Sequence, residues 1–147
     1  MQIQQKNTFH ILLVEDNEGD ILLTREALEE SSLNCKLDNV KDGQSAIDFI
    51  YNKNEFKSHK LPDLILLDIN LPYKNGHEVL ASLKNDGRTR QIPVIMFTTS
   101  SSEEDILKSY QLHANSYVTK PLGAEQFEEV FKNIENFWMQ TSKLPNH

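Results

Sequence analysis

Five short apolar runs punctuate the chain, and each is followed by a stretch whose apolar residues recur at helical spacing. The runs are Ile11 to Val14, Cys35 to Val40, Leu64 to Leu67, Val94 to Phe97 and Ser116 to Val118. Three are continuous rather than alternating: Ile-Leu-Leu-Val, Leu-Ile-Leu-Leu and Val-Ile-Met-Phe. Strands buried on both faces read this way, as in a parallel sheet covered by helices. The second run has only Leu37 and Val40 as strong apolar members and fits an edge strand.

The intervening stretches predict helices. Asn17 to Asp20 offers capping side chains ahead of Ile21, Leu22, Ala27 and Leu28. Gly43 leads into Ala46, Ile47 and Ile50, and Gly76 leads into Val79, Leu80 and Leu83. Ser101-Ser102-Glu103-Glu104 fits a capping box before Ile106, Leu107 and Tyr110, and its acidic residues suit the positive end of a helix dipole. Phe127, Val130, Phe131, Ile134, Phe137 and Trp138 set out the last helix. A strand-helix pair repeated five times, with right-handed crossovers, predicts a doubly wound α/β fold, (βα)5, around a parallel five-stranded sheet. Ligands of such sheets bind beyond the carboxyl ends of the strands.

The length of 147 residues suits one domain. The expected organisation is a polar segment over 1–9, the domain over 10–140 and a tail over 141–147, with Tyr51 to Pro62 as an extended connection. The single Cys35 excludes an internal disulfide and any multi-cysteine zinc site. A net charge of −7 argues against a nucleic-acid surface. No apolar run approaches the ~20 residues of a membrane helix, and Met1 to His10 lacks the apolar core of a secretory signal, so no membrane partner and a cytoplasmic location are expected.

The chemistry is expected at the strand ends. Glu15 and Asp16 follow the first apolar run directly, and Asp68 follows the third. If those strands are neighbours, roughly 5 Å apart, three carboxylates converge. Two unit charges ~4 Å apart repel by about 4 kcal/mol at an effective dielectric of 20. Either one group stays protonated or a hard cation sits among them, and oxygen donors without a thiolate or histidine cluster suit Mg2+. Thr98 brings a hydroxyl to the same rim and Lys120 an ammonium, with Pro121 setting a tight turn. Taken alone, that threonine reads as a strand end and that lysine as one snorkelling at an edge. His10, His59, His77, His113 and His147 show no metal-ligand spacing and read as structural or surface residues.

With these motifs in hand, the sequence resembles the receiver domains of two-component response regulators from His10 to about Trp138. The resemblance rests on Leu-Val-Glu-Asp at 13–16, Leu-Leu-Asp-Ile-Asn-Leu-Pro at 66–72 with Gly76, Phe-Thr-Thr at 97–99, and Lys-Pro at 120–121. It implies a flavodoxin-like strand order of 2-1-3-4-5. It implies Asp68 as phosphoacceptor, Mg2+ on Asp16, Asp68 and the Asn70 carbonyl, and Glu15 acting through water. Thr98 and Lys120 would contact phosphoryl oxygens, and Tyr117 would change rotamer with Thr98. Thr99 departs from the commonest pattern, and its bulk is expected to restrict phosphodonor access or slow hydrolysis.

Glu-Asp-Asn-Glu-Gly-Asp at 15–20, the long connection before Pro62 and the ending Phe137-Trp138 resemble stand-alone regulators that partner phytochrome histidine kinases. The implied function is acceptance of a phosphoryl group from such a kinase, with a conformational change at the α4-β5-α5 face and homodimerisation through Glu103 to Trp138. The chain would promote only its own phosphorylation and dephosphorylation. One rival is a binding module of the same fold that signals without phosphorylation. Another is a haloacid-dehalogenase-type phosphatase, disfavoured because Asn70 stands where that family usually places an acidic proton donor.

Overall fold

Strand β1 (Phe9–Val14) is buried from His10 onward, as are all residues of β3 (Leu64–Leu67) and β4 (Val94–Thr98). The two flanking strands, β2 (Cys35–Val40) and β5 (Ser116–Thr119), are only partly covered. All five pair in parallel in the order β2-β1-β3-β4-β5, as expected. The computed structural model describes residues 8–30, 34–51, 60–120, 123–141 and 143–145. The polar segment through residue 7, most of the connection before Pro62, the turn at Pro121, His59 and His147 lie outside the described residues.

Continuous apolar runs arise because neighbours on a strand point to opposite faces. Leu12, Val14, Ile65, Leu67, Val94 and Met96 face one side, where they meet Phe49, Ile50, Val79, Leu80 and Leu83. These belong to α2 (Gly43–Ile50) and α3 (Gly76–Asn85). Ile11, Leu13, Leu64, Leu66, Ile95 and Phe97 face the other side, against Ile21, Leu28, Phe127, Phe131 and Ile134. That layer is α1 (Glu18–Glu29) and α5 (Ala124–Ile134). Phe97 meets the Phe127 and Phe131 rings edge-on at centroid distances of 5.4 and 5.6 Å.

Helix α4 (Glu103–Gln111) is different, because Ser109 is its sole buried residue while Leu107 and Tyr110 stand in solvent. The Ser109 hydroxyl donates to the Asp105 carbonyl at 2.7 Å and so accepts from His77 Nε2, on α3, at 2.9 Å. Burial lowers the His77 pKa, with the nearby Lys108 charge adding to the shift. His10 is also buried and pairs with Asp38 at 2.7 Å, whereas His113 is exposed. The expectation that these three histidines are structural or surface residues agrees with those positions.

The cap of α4 corrects one sequence expectation. Ser102, not Ser101, is the N-cap and accepts from the Asp105 N–H at 3.1 Å, so the Ser101–Glu104 box does not form. A complete capping box occurs instead at Asn75 and Glu78, where α3 begins. The last helix also changes character: α5 passes into a π-helical extension over Glu135–Thr141. There Trp138 is half-buried beside a cavity of about 240 Å³ lined with Ile95, Val118 and Val130, while Phe137 is exposed. Among the described residues, no helix is long and apolar enough to cross a membrane.

Candidate functional site

The site begins with where β1 and β3 stop. Their register pairs Val14 with Leu67, so Glu15 and Asp68 leave the sheet side by side, and the Asp68 N–H donates to the Val14 carbonyl at 3.1 Å. One carboxylate oxygen from each of Glu15, Asp16 and Asp68 lies within 4.8 Å of the others. Glu15 and Asp68 are buried and Asp16 is exposed. The expected convergence of these three residues is therefore present.

Backbone amides hold the two buried carboxylates in place. Glu15 Oε2 accepts the N–H groups of Asp16 and Asn17, each at 3.1 Å. Asp68 Oδ1 accepts the Ile69 N–H at 2.7 Å. Asn39 reaches across from β2 to donate to the Leu13 and Glu15 carbonyls at 3.0 and 3.2 Å, which ties the β1 exit to its neighbour. The loop after Asp68 is fixed by two close approaches. A Cβ on Gly76 would stand 2.0 Å from the Asp68 carbonyl oxygen, and one on Gly43 would stand 1.9 Å from the Lys74 carbonyl oxygen. Only glycine fits at either position. Asn70, whose side chain is exposed, lies in this loop.

Lys120 enters from the far side of the sheet. Its N–H donates to the Thr98 carbonyl at 2.7 Å, and its side chain is 3 % exposed. The ammonium contacts Glu15 Oε1, Asp20 Oδ2 at 2.9 Å and Asp68 Oδ2 at 3.2 Å, with the Phe97 ring 5.9 Å away. Burial works against its charge, but the Glu15 and Asp20 hydrogen bonds and the Asp68 charge outweigh it, so Lys120 stays protonated above the usual lysine range. Burial lifts the Glu15 carboxyl to about 7, against the pull of the Lys120 hydrogen bond and charge.

Thr98 is fully buried at the end of β4, with its hydroxyl 3.4 Å from the Ser100 N–H. Tyr117 is half-buried on β5 and donates to the Ser100 carbonyl at 2.8 Å. Thr99 projects from the same rim as an exposed residue. The contact sequence reasoning missed is Asp20: an acidic residue in a first helical turn reads as a cap, and only the fold brings it to Lys120.

The donor set fits a hard divalent cation. It offers carboxylate oxygens with no imidazole or thiolate among them, and one of the three, on Asp16, engages no hydrogen bond among the described residues. Lys120 neutralises part of the cluster, leaving net negative charge for an ion to offset.

Residues 11–132 match the family model described as the response regulator receiver domain. The response regulator Rcp1 of Synechocystis is 42% identical over 135 residues, which cover 92% of this chain and 92% of that protein. Among solved structures, the phosphorylated cyanobacterial phytochrome response regulator RcpA superposes with a TM-score of 0.92 at 44% identity, covering 95% of this chain and all 100% of that one. The Mn(2+)-bound form of Rcp1 gives a TM-score of 0.89 at 41% identity, with 93% and 99% covered.

Proposed function

Since this chain belongs to the response regulator receiver domain family, we propose that it carries a signal by accepting a phosphoryl group from a histidine kinase on Asp68. The observation that supports this best is the joint geometry of Glu15, Asp16, Asp68 and Lys120 at one rim. A carboxylate oxygen of Asp68 attacks the phosphorus of a phosphohistidine. The P–O bond forms as the P–N bond breaks, and the departing imidazole takes its proton from solvent.

Positioning and charge neutralisation dominate such transfers. The Ile69 N–H on Oδ1 and Lys120 on Oδ2 fix the plane of the attacking carboxylate. Asp16, Asp68 and the Asn70 carbonyl, with Glu15 through water, would hold Mg2+, which when bound would supply positive charge to offset that of the phosphoryl group. Thr98 donates its hydroxyl to one phosphoryl oxygen, and Lys120 compensates another. Asn70 stands two residues beyond Asp68, where a haloacid-dehalogenase-type phosphatase usually carries an acidic proton donor.

The aspartyl phosphate adds roughly two negative charges beside Thr98. Drawing Thr98 toward them pulls on Ser100, whose carbonyl holds the Tyr117 hydroxyl. Release of that bond frees Tyr117 to change rotamer and shifts the balance of α4, β5 and α5. The exposed Leu107, Tyr110 and Phe137 support the region from Glu103 to Trp138 as the surface for a second copy of the chain. Likeness to phytochrome response regulators points to a phytochrome-type kinase as donor.

The deciding experiment is phosphotransfer from candidate histidine kinases, a phytochrome among them, to wild type and to Asp68→Asn. Labelling that needs a divalent cation and vanishes in the variant is expected. Undiminished labelling of Asp68→Asn removes the assignment, and absence of labelling by any kinase favours a module that signals without phosphorylation. Sedimentation with and without a phosphoryl analogue tests self-association, which a monomer in both states at high concentration would refute.

A further inference from the structure

An ammonium group has three N–H donors, and in this site three carboxylates take them. Glu15, Asp20 and Asp68 all lie within hydrogen-bond reach of Lys120 Nζ. The three partners are not equivalent. The Glu15 side chain is 2% exposed and the Asp68 side chain 11%, whereas Asp20 is 23% exposed. Water can therefore replace Lys120 at Asp20 more easily than at either of the others.

Asp20 is also held independently of the lysine. Its N–H donates to the Asn17 cap at 2.9 Å, and its carbonyl accepts the Thr24 hydroxyl at 2.8 Å. The carboxylate thus projects from a fixed first turn of α1 toward the acceptor site.

On the reading that Asp68 is the phosphoacceptor, we propose that Asp20 is a positioning residue that occupies the third donor of Lys120 in the resting site and gives it up to a phosphoryl oxygen. Asp20 competes with the phosphoryl group for the same N–H. It keeps the buried ammonium satisfied before transfer, and it weakens the site's hold on the group afterwards. The residue sets how readily the phosphorylated state is reached and left, while touching neither donor nor acceptor.

The test is titration with beryllofluoride, an analogue of the aspartyl phosphoryl group, at saturating Mg2+, followed by heteronuclear NMR. Removing one negative charge and weakening the hold on one donor in Asp20→Asn is expected to tighten binding roughly five- to tenfold. Asp20→Glu, which keeps a carboxylate within reach of the lysine, is expected to stay close to wild type. In a Lys120→Ala background, Asp20→Asn is expected to change nothing further. The inference is overturned if Asp20→Asn binds no more tightly. It is equally overturned if the tightening survives in Lys120→Ala, because bare charge repulsion then explains it. Failure of the wild type to bind beryllofluoride would instead remove the phosphoacceptor reading, and this one with it.

Discussion

Helix α2 lies at one margin of the sheet beside β2, and α4 at the other beside β5. Both are short, with eight and nine residues, yet they are attached by different physics. Helix α2 buries Gly43, Ala46, Phe49 and Ile50 against the core. Helix α4 buries Ser109 alone and reaches α3 through the polar contact with His77. Apolar packing is non-directional and lost in proportion to the area exposed, so moving α2 is costly. A helix held through polar contacts, such as His77–Ser109 and Ser100–Asp105, exchanges those bonds for water and shifts at small cost. The acidic half of the site is anchored on the buried β1 and β3, while Thr98 and Lys120 border the loosely held margin. Under the proposed function, a charge change at the site would be passed to the side of the molecule least resistant to it.

The largest test of this contrast compares an apolar residue of each helix. Phe49→Ala on α2 is expected to cost about 3–5 kcal/mol of stability in urea denaturation. Leu107→Ala on α4 is expected to change stability by less than about 0.5 kcal/mol. Comparable losses would erase the distinction. At intermediate size, Ser109→Ala removes one of the hydrogen-bond partners of His77 and is expected to cost about 1 kcal/mol. Hydrogen exchange should then quicken in α4 and stay unchanged in α2; uniform acceleration would show that α4 is held by more than this contact.

The smallest effect is one of pH. Burial, as the largest cause, lowers the pKa values of His77 and His10 from the ordinary 6.5. The unfolded chain therefore takes up these protons first on acidification. The stability contributed by the neutral rings is fully present above about 6.5 and is lost as pH falls below it toward the lowered folded values. The raised pKa of the Glu15 carboxyl shifts global stability the opposite way between pH 7 and 5, so the decline is read locally, as α4 amides exchanging before those of α2. An α4 insensitive to this range would mean that His77 does not hold it.

Most of the fold was legible because burial on both faces writes itself into sequence as unbroken apolar runs. Ile11 to Val14 and Leu64 to Leu67 could hardly be read otherwise. The acidic rim was legible too, since Glu15, Asp16 and Asp68 follow those runs without a gap. Asp20 was not: its chain neighbourhood says helix start, and its partner lies 100 residues away. The α4 cap was ambiguous because Ser101 and Ser102 each precede an acidic residue by three positions. A hydrogen bond from the Ser100 hydroxyl to the Asp105 carboxylate, at 2.6 Å, accompanies the choice of Ser102. The π-helical ending was hidden because widening one turn leaves the apolar spacing of the sequence nearly intact while rotating Phe137 into solvent.

Gly76 carries a consequence for any attempt to transplant the pocket. A Cβ there would fall so near the Asp68 peptide oxygen that even an alanine would force the two segments apart. A designer who grafts the carboxylates, hydroxyl and ammonium onto another scaffold must bring this hydrogen-only position along with them. Without it, the start of the following helix and Asp68 would drift out of mutual alignment, however faithfully every charged group had been copied.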